Sequence, residues 1–175
     1  MITFRRPTDG DIHEIQMVAL AAWSHAFAGI YAPATVRRKV AEYYSATSLG
    51  VAIREAEAGK AFFLVATDGR RLVGYANGGR IKNPWRDPSK PDGKAYHVSG
   101  WELNRIFLLP EFTGRGIGRG LLDRWEKFLG DMDADHYFVT YHRRNRLARD
   151  FYHRNGFVRA KNFDDGSAHC AIKEL

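Results

Sequence analysis

Apolar residues recur along the early part of the chain at helical spacing. Ile12, Ile15, Ala19, Ala22, Trp23 and Phe27 fall three or four apart and predict an amphipathic helix. Asp11 and Glu14 stand at capping-box spacing at its start, and Gly29 loosens its end. Pro33 opens a second helix with Val36, Val40, Tyr43 and Tyr44 on one side. Elsewhere the pattern shortens. Ile2 and Phe4 alternate in a brief N-terminal strand. "AFFLVAT" and "RLVGYANGGRI" predict two strands joined at Asp68-Gly69, a hairpin signal. Residues 83–97, with three prolines and a glycine, predict an exposed loop or lid. "WELNRIFLL" predicts a strand stopped by Pro110, and "HYFVTYH" another.

Between those two strands lies "GRGIGRGLL", residues 114–122, with glycines at every second position from 114 to 120. Leu121, Leu122, Trp125, Phe128 and Leu129 then follow at helical spacing, so the glycines mark a strand-to-helix junction. "NRLARDFYHRNGF" predicts a short helix closed by Asn155-Gly156, and strands near 157–161 and 168–174 end the chain. The whole predicts a mixed α/β fold with one sheet and helices packed on it.

The chain has 175 residues, which suits one domain, residues 1–175, with a real core. No apolar run is long enough to span a bilayer, and no signal segment opens the chain. Cys170 is the one cysteine, so an internal disulfide is excluded; a reducing, cytoplasmic setting fits, and a core position for Cys170. The net charge of +7 points to an anionic partner. No zinc-finger spacing or RNA-binding signature is present, so nucleic acid is not expected among the partners, nor is a membrane.

The glycine stretch narrows that anion. The first amides of a helix have no partner within it, and the helix dipole adds partial positive charge there. Glycines remove the Cβ atoms that would hold a ligand away, and Arg115 and Arg119 add charge. The expectation is a pyrophosphate seated on this turn. The stretch lacks the Gly-Lys-Ser/Thr ending of a Walker A loop. It also comes too late in the chain for a dinucleotide fold. Glycines that serve only strand–helix packing are the remaining alternative.

"ELNRIFLLPEFTGRGIGRGLL" followed by "NRLARDFYHRNGF" resembles the GNAT superfamily of acetyl-CoA-dependent N-acetyltransferases, over essentially the whole chain. The family loop is usually Gln/Arg-x-x-Gly-x-Gly/Ala; here it reads Thr113-Gly114-Arg115-Gly116-Ile117-Gly118, with Thr113 as the departure. The resemblance implies an α/β (α+β) fold: a single mixed, mostly antiparallel central sheet with splayed central strands. It implies that Ile106, Phe107 and Leu108 lie along the pantetheine arm of acetyl-CoA, with a backbone N–H aimed at the thioester oxygen. It implies that residues 114–119 hold the pyrophosphate, that Asn145 contacts the coenzyme arm, and that Tyr152 protonates the leaving thiolate. No metal is implied, and a homodimer is compatible with the family.

The residue chemistry agrees. Tyrosine, with an ordinary pKa near 10, carries its proton at neutral pH, and a thiolate of thiol pKa near 8.5 is expected to take it downhill. Asn145 and Tyr152 are two turns apart and face one way. The alternatives are an ordinary N-cap for Asn145 and an aromatic packing role for Tyr152. Where some family members carry a glutamate base, this chain has Thr140. Glu102 is the expected base, with acceptor binding as its second role, and simple pairing with an arginine as its alternative. His142 and His97 are weaker candidates. For the amine acceptor, Tyr31 is expected to line the pocket, while Trp23 and Phe27 read as core; Trp85 and Tyr96 flank the 83–97 loop. The positive charge suits coenzyme A and argues against a highly cationic acceptor, unless Glu102, Asp164 and Asp165 reverse the local field. A non-catalytic acyl-CoA-binding sensor is the alternative function.

Overall fold

The computed structural model describes residues 1–81, 85–86, 95–96, 100–161, 164 and 166–175. Its strands are β1 (Ile2–Arg5), β2 (Ala61–Asp68), β3 (Arg71–Arg80), β4 (Trp85–Arg86), β5 (Ala95–Tyr96), β6 (Trp101–Leu108), β7 (His136–His142), β8 (Val158–Arg159) and β9 (Ala168–Glu174). Its helices are α1 (Ile12–Ala26), α2 (Pro33–Tyr43), α3 (Ala46–Glu57), α4 (Ile117–Gly130) and α5 (Arg146–Arg154). Seven strands form one sheet in the order β1-β2-β3-β6-β7-β9-β8, and β4 pairs with β5 in a separate ribbon. Every pairing in the large sheet is antiparallel except β6 with β7. The fold is thus the mixed, mostly antiparallel α/β sheet expected. Among the described residues, no helix is long and apolar enough to cross a membrane.

Strand alternation sorts the helices onto two faces. Tyr75 of β3 packs edge-on against Tyr44 at the end of α2, with ring centroids 6.1 Å apart. Gly78, three residues on, faces the other way, where an added Cβ would stand 2.9 Å from the Trp125 ring of α4. α1, α2 and α3 cover the first face, α4 and α5 the second. Trp125 is fully buried and meets Phe62, Trp101 and Tyr137 in T-shaped contacts 5.4 to 6.3 Å between centroids. Each such pair adds about 0.5–1.5 kcal/mol beyond the area it buries. Cys170 is buried in the core, as expected.

Two local expectations are corrected. Asp11 does not cap α1 together with Glu14. Its carboxylate turns back to accept the Thr8 amide at 2.7 Å and pairs with Arg5 at 2.7 Å, closing a short turn ahead of the helix. Glu14 instead accepts the Leu72 amide of β3 at 3.1 Å, fixing α1 to the sheet. Residues Ala46–Glu57 form a helix that the apolar pattern after Tyr44 does not predict. Ser45 caps it by accepting the Ser48 amide at 3.2 Å, and Leu49, Ile53 and Ala56 bury its inner face. Of the expected 83–97 loop, only the backbone pairing Trp85↔Tyr96 and Arg86↔Ala95 is described. The side chains of Trp85 and Tyr96, all of His97 and all of Asp165 lie outside the described residues.

Candidate active site

The site begins where β6 and β7 part. They meet at one register pair, Glu102↔Phe138. Beyond it, Asn104 is an extra residue in β6, since Leu103 opposes Gly78 and Arg105 opposes Asn77 across β3. Such a bulge bends a strand and breaks its pairing. β6 stays on β3 while its other edge swings away from β7, which opens a gap in the middle of the sheet.

The backbone of that free edge has a defined sense. The Leu109 amide donates to Val73 of β3 at 2.9 Å. Alternation along the strand then turns the amides of Ile106 and Leu108 away from β3 and into the gap. These are the groups an extended ligand arm would pair with. Phe107, between them, faces α1 and lies 6.3 Å from the Trp23 ring.

At the far end of β6 the chain turns into the glycine loop. Gly114 and Gly116 have φ of 73° and 79°, the left-handed region that glycine enters without a Cβ penalty. A Cβ at either would meet nothing within 4 Å, so the space outside the turn is open. Gly120 is the first residue of the turn whose amide finds a helical partner, the Gly116 carbonyl at 2.9 Å. Among the described residues, the amides from Gly114 to Arg119 have no backbone acceptor. Unpaired amides at the start of the 14-residue α4 form an anion cradle, and the residues fit the pyrophosphate expected there.

Three loop residues do more specific work than the sequence suggests. Gly118 is buried, and its Cβ would stand 3.2 Å from the Phe151 ring of α5. Its missing side chain serves helix–helix packing, the alternative left open above. Arg119 reaches Asp123 at 2.6 Å and Asn155 at 2.9 Å, joining α4 to the end of α5. Arg115 remains at the loop mouth, stacked 4.9 Å over the Phe112 ring.

α5 brings the remaining pieces. Asn145 is buried and caps the helix by accepting the Ala148 amide at 3.1 Å. That uses its carbonyl oxygen and leaves its amide hydrogens for other partners. Tyr152, two turns on, is also buried, with its ring 5.7 Å from Tyr141. Burial pushes the Tyr152 hydroxyl well above its ordinary value, and the nearby Glu102 and Tyr141 add to the shift. It therefore stays protonated through and beyond the neutral range. The expected downhill proton flow fails even at ordinary values, and burial of Tyr152 widens the gap. A phenol of pKa above 10 does not pass its proton downhill to a thiolate of thiol pKa near 8.5. A Tyr152 hydroxyl that keeps its proton can donate a hydrogen bond to a charge that develops in the gap.

Glu102 faces Tyr152 from β6. Burial raises its carboxyl above the usual range, while the Thr140 hydroxyl and the Arg105 charge pull it partly back. Thr140 donates to it at 3.0 Å. Thr140 stands where some members of the resembling family carry a glutamate; here the carboxylate reaches that same place from the neighbouring strand. Glu102, Thr140, Asn145 and Tyr152 open into one cavity of about 920 Å³.

The acceptor end of the cavity differs from expectation. Phe27 is buried in the core, as read, and Trp23 packs against that core; both also line the cavity, with Tyr43 and Tyr44. Tyr31 is not among the lining residues. It backs Phe27 at 5.3 Å and meets His142 edge-on at 5.5 Å. The periodicity of α1 could not separate a stripe packed on protein from one whose end faces an open gap. His142 lines the cavity and accepts the Arg144 amide at 3.2 Å through Nδ1. Asp164 pairs with Arg159, accepts the Cys170 amide at 2.9 Å, and does not line the cavity.

The gap, the glycine turn and the facing carboxyl and phenol are the frame in which an acyltransferase can hold a donor thioester between split strands. The model of the acetyltransferase (GNAT) domain family matches residues 59–159, and the chain belongs to that family. The chain is 29% identical over 157 residues to spermidine N(1)-acetyltransferase of Thermoplasma acidophilum, covering 89% of this chain and 88% of that protein. Its structure superposes with a TM-score of 0.86 on the PaiA N-acetyltransferase of Thermoplasma acidophilum in complex with coenzyme A, at 27% identity, over 100% and 99% of the two chains. An acetyltransferase of the GNAT family from Staphylococcus aureus Mu50 shares the fold, with a TM-score of 0.73 at 16% identity over 100% and 99%.

Proposed function

We propose that the whole chain acts as one N-acetyltransferase domain, passing the acetyl group of acetyl-CoA to the primary amine of a small molecule or peptide. The observation that carries this is the placement of Glu102 and Tyr152 on opposite walls of the β6–β7 gap. The free-edge amides of Ile106 and Leu108 lie along the strand between that pair and the glycine loop. The amides from Gly114 to Arg119 and the Arg115 guanidinium hold the pyrophosphate. Asn145 contacts the coenzyme arm through its amide hydrogens.

The reaction is direct attack by a neutral amine on the thioester carbon. Glu102, or a water it holds, takes the proton of the incoming ammonium. A gap-facing β6 amide donates to the oxygen as it becomes an oxyanion. When the C–S bond breaks, Tyr152 donates a hydrogen bond to the sulfur. The nitrogen sheds a second proton as the intermediate collapses; that proton neutralises the thiolate, and the first passes from Glu102 to water. The relative active on spermidine supports a slender aliphatic amine as acceptor. A pure acyl-CoA sensor has no use for a carboxyl and a phenol held on either side of the thioester.

The test is release of free thiol from acetyl-CoA by the purified protein over a panel of primary amines. The expected result is release that depends on one amine class. Binding of acetyl-CoA with no release for any amine would overturn the transferase reading in favour of the sensor.

A further inference from the structure

Two polar side chains on the floor of the acceptor cavity are left unused by the chemistry above. Asn77 of β3 and Arg105 of β6 are direct cross-strand partners. Opposed residues of an antiparallel pair project to the same face. Here that face is the one covered by α1, α2 and α3, because the Arg105 guanidinium lies 4.8 Å over the Tyr44 ring. Both residues line the cavity beside Glu102.

Asn77 is only 8% exposed, and its Oδ1 is buried with no hydrogen-bond partner. An unpartnered buried carbonyl oxygen is a costly feature for a protein to keep. Arg105 is half-buried, and no carboxylate among the described residues lies within ion-pair distance of it. Its charge reaches Glu102 only at longer range. Among the described residues, one group therefore lacks a donor and its neighbour lacks an anion, side by side.

The wider lining carries both signs. Glu55 and Glu102 are its described carboxylates; Lys60 and Arg105 are its described cations, while Arg80 turns to the other face and stacks 4.5 Å over the Trp101 ring. A ligand carrying several ammonium groups would meet Lys60 and Arg105 as well as the carboxylates. A ligand carrying one ammonium beside a carboxylate would be matched: the ammonium between Glu102 and Asn77 Oδ1, the carboxylate on the Arg105 guanidinium.

We propose that Asn77 and Arg105 select an acceptor whose primary amine is accompanied by a carboxylate, an amino acid rather than a polyamine. The inference rests on the transferase reading and names its acceptor class. It departs from the polyamine of the Thermoplasma relative, and the departure can be measured with matched pairs that differ by one carboxylate: ornithine against putrescine, and lysine against cadaverine.

The experiment is thiol release from acetyl-CoA with each pair, using the wild-type protein, Arg105→Gln and Asn77→Leu, with thermal melting of each. The wild type is expected to favour the carboxylated member by about tenfold or more in kcat/KM, the scale of a charge-assisted contact. Arg105→Gln should collapse that ratio toward one. Asn77→Leu should raise KM for both members while KM for acetyl-CoA holds. A wild type that prefers the diamines would overturn the proposal. So would an Arg105→Gln that lowers both members of a pair equally, the signature of a merely structural stack on Tyr44. Absence of release with every amine would remove the transferase reading itself.

Discussion

Glu102 shows how one side chain can be placed at a cost. Its carboxyl is half-buried, and burial raises it above the usual range even with Thr140 donating and Arg105 nearby. The ionised form is the one that can accept a proton, and it is also the form that burial penalises. Two opposite consequences follow for Glu102→Gln. Turnover should fall by about 10²–10⁴-fold, the usual contribution of a positioned base. Stability at neutral pH should hold or rise, because the substitution removes a charge whose folded pKa lies above its unfolded one. In the wild type, kcat/KM should climb with pH as Glu102 ionises, and it should show no alkaline decline from Tyr152 below about pH 10, since burial holds that hydroxyl above its ordinary value. pH–rate profiles of wild type and variant, with a melting curve of each, check all four. An unchanged profile in Glu102→Gln would remove it as the base.

At the scale of elements, the strand–loop–helix from β6 to α4 and the helix α5 were legible because their signals are local. Pro110 ends β6, left-handed glycines turn the loop, and leucines at helical spacing announce α4. The splay was expected only through the family resemblance; its local cause, the bulge at Asn104, has no mark in residue type. α3 was missed because its apolar side is thin, with Gly50 among its buried residues, and because Ser45, its cap, follows α2 after one residue. Gly118 could not be read either, since a glycine that admits a phosphate and one that admits the Phe151 ring look alike in sequence. The structure separates them by experiment. Gly118→Val should lower stability by about 1–3 kcal/mol through overpacking against α5, whatever it does to the coenzyme. Arg115 is itself exposed, stacking on Phe112 and adding charge near Glu111, so Arg115→Ala should leave stability within about 0.5 kcal/mol. It should nevertheless weaken acetyl-CoA binding several-fold, with a shallower salt dependence. Full affinity in Arg115→Ala would take that cation out of the cradle.

Across the whole molecule, the sheet is two blocks joined at one register pair. β1, β2, β3 and β6 carry the acceptor floor and the free edge; β7, β9 and β8 carry Thr140 and the wall on which α5 stands. α1, α2 and α3 roof the acceptor end, and α4 with α5 closes the coenzyme end. The net charge of +7 was a fair guide to an anionic ligand and a poor one to its place, because Arg119, Arg149 and Arg159 are each consumed by a neighbouring carboxylate. What remains is a split sheet with an open gap between β6 and β7, and Tyr152 lines the cavity at that break. The most direct test is calorimetric titration of wild type and Tyr152→Phe with acetyl-CoA, paired with turnover of each on one accepted amine. The structure predicts equal affinity and a turnover at least about tenfold lower in the variant. Equal turnover would place the reacting thioester somewhere other than the gap between β6 and β7.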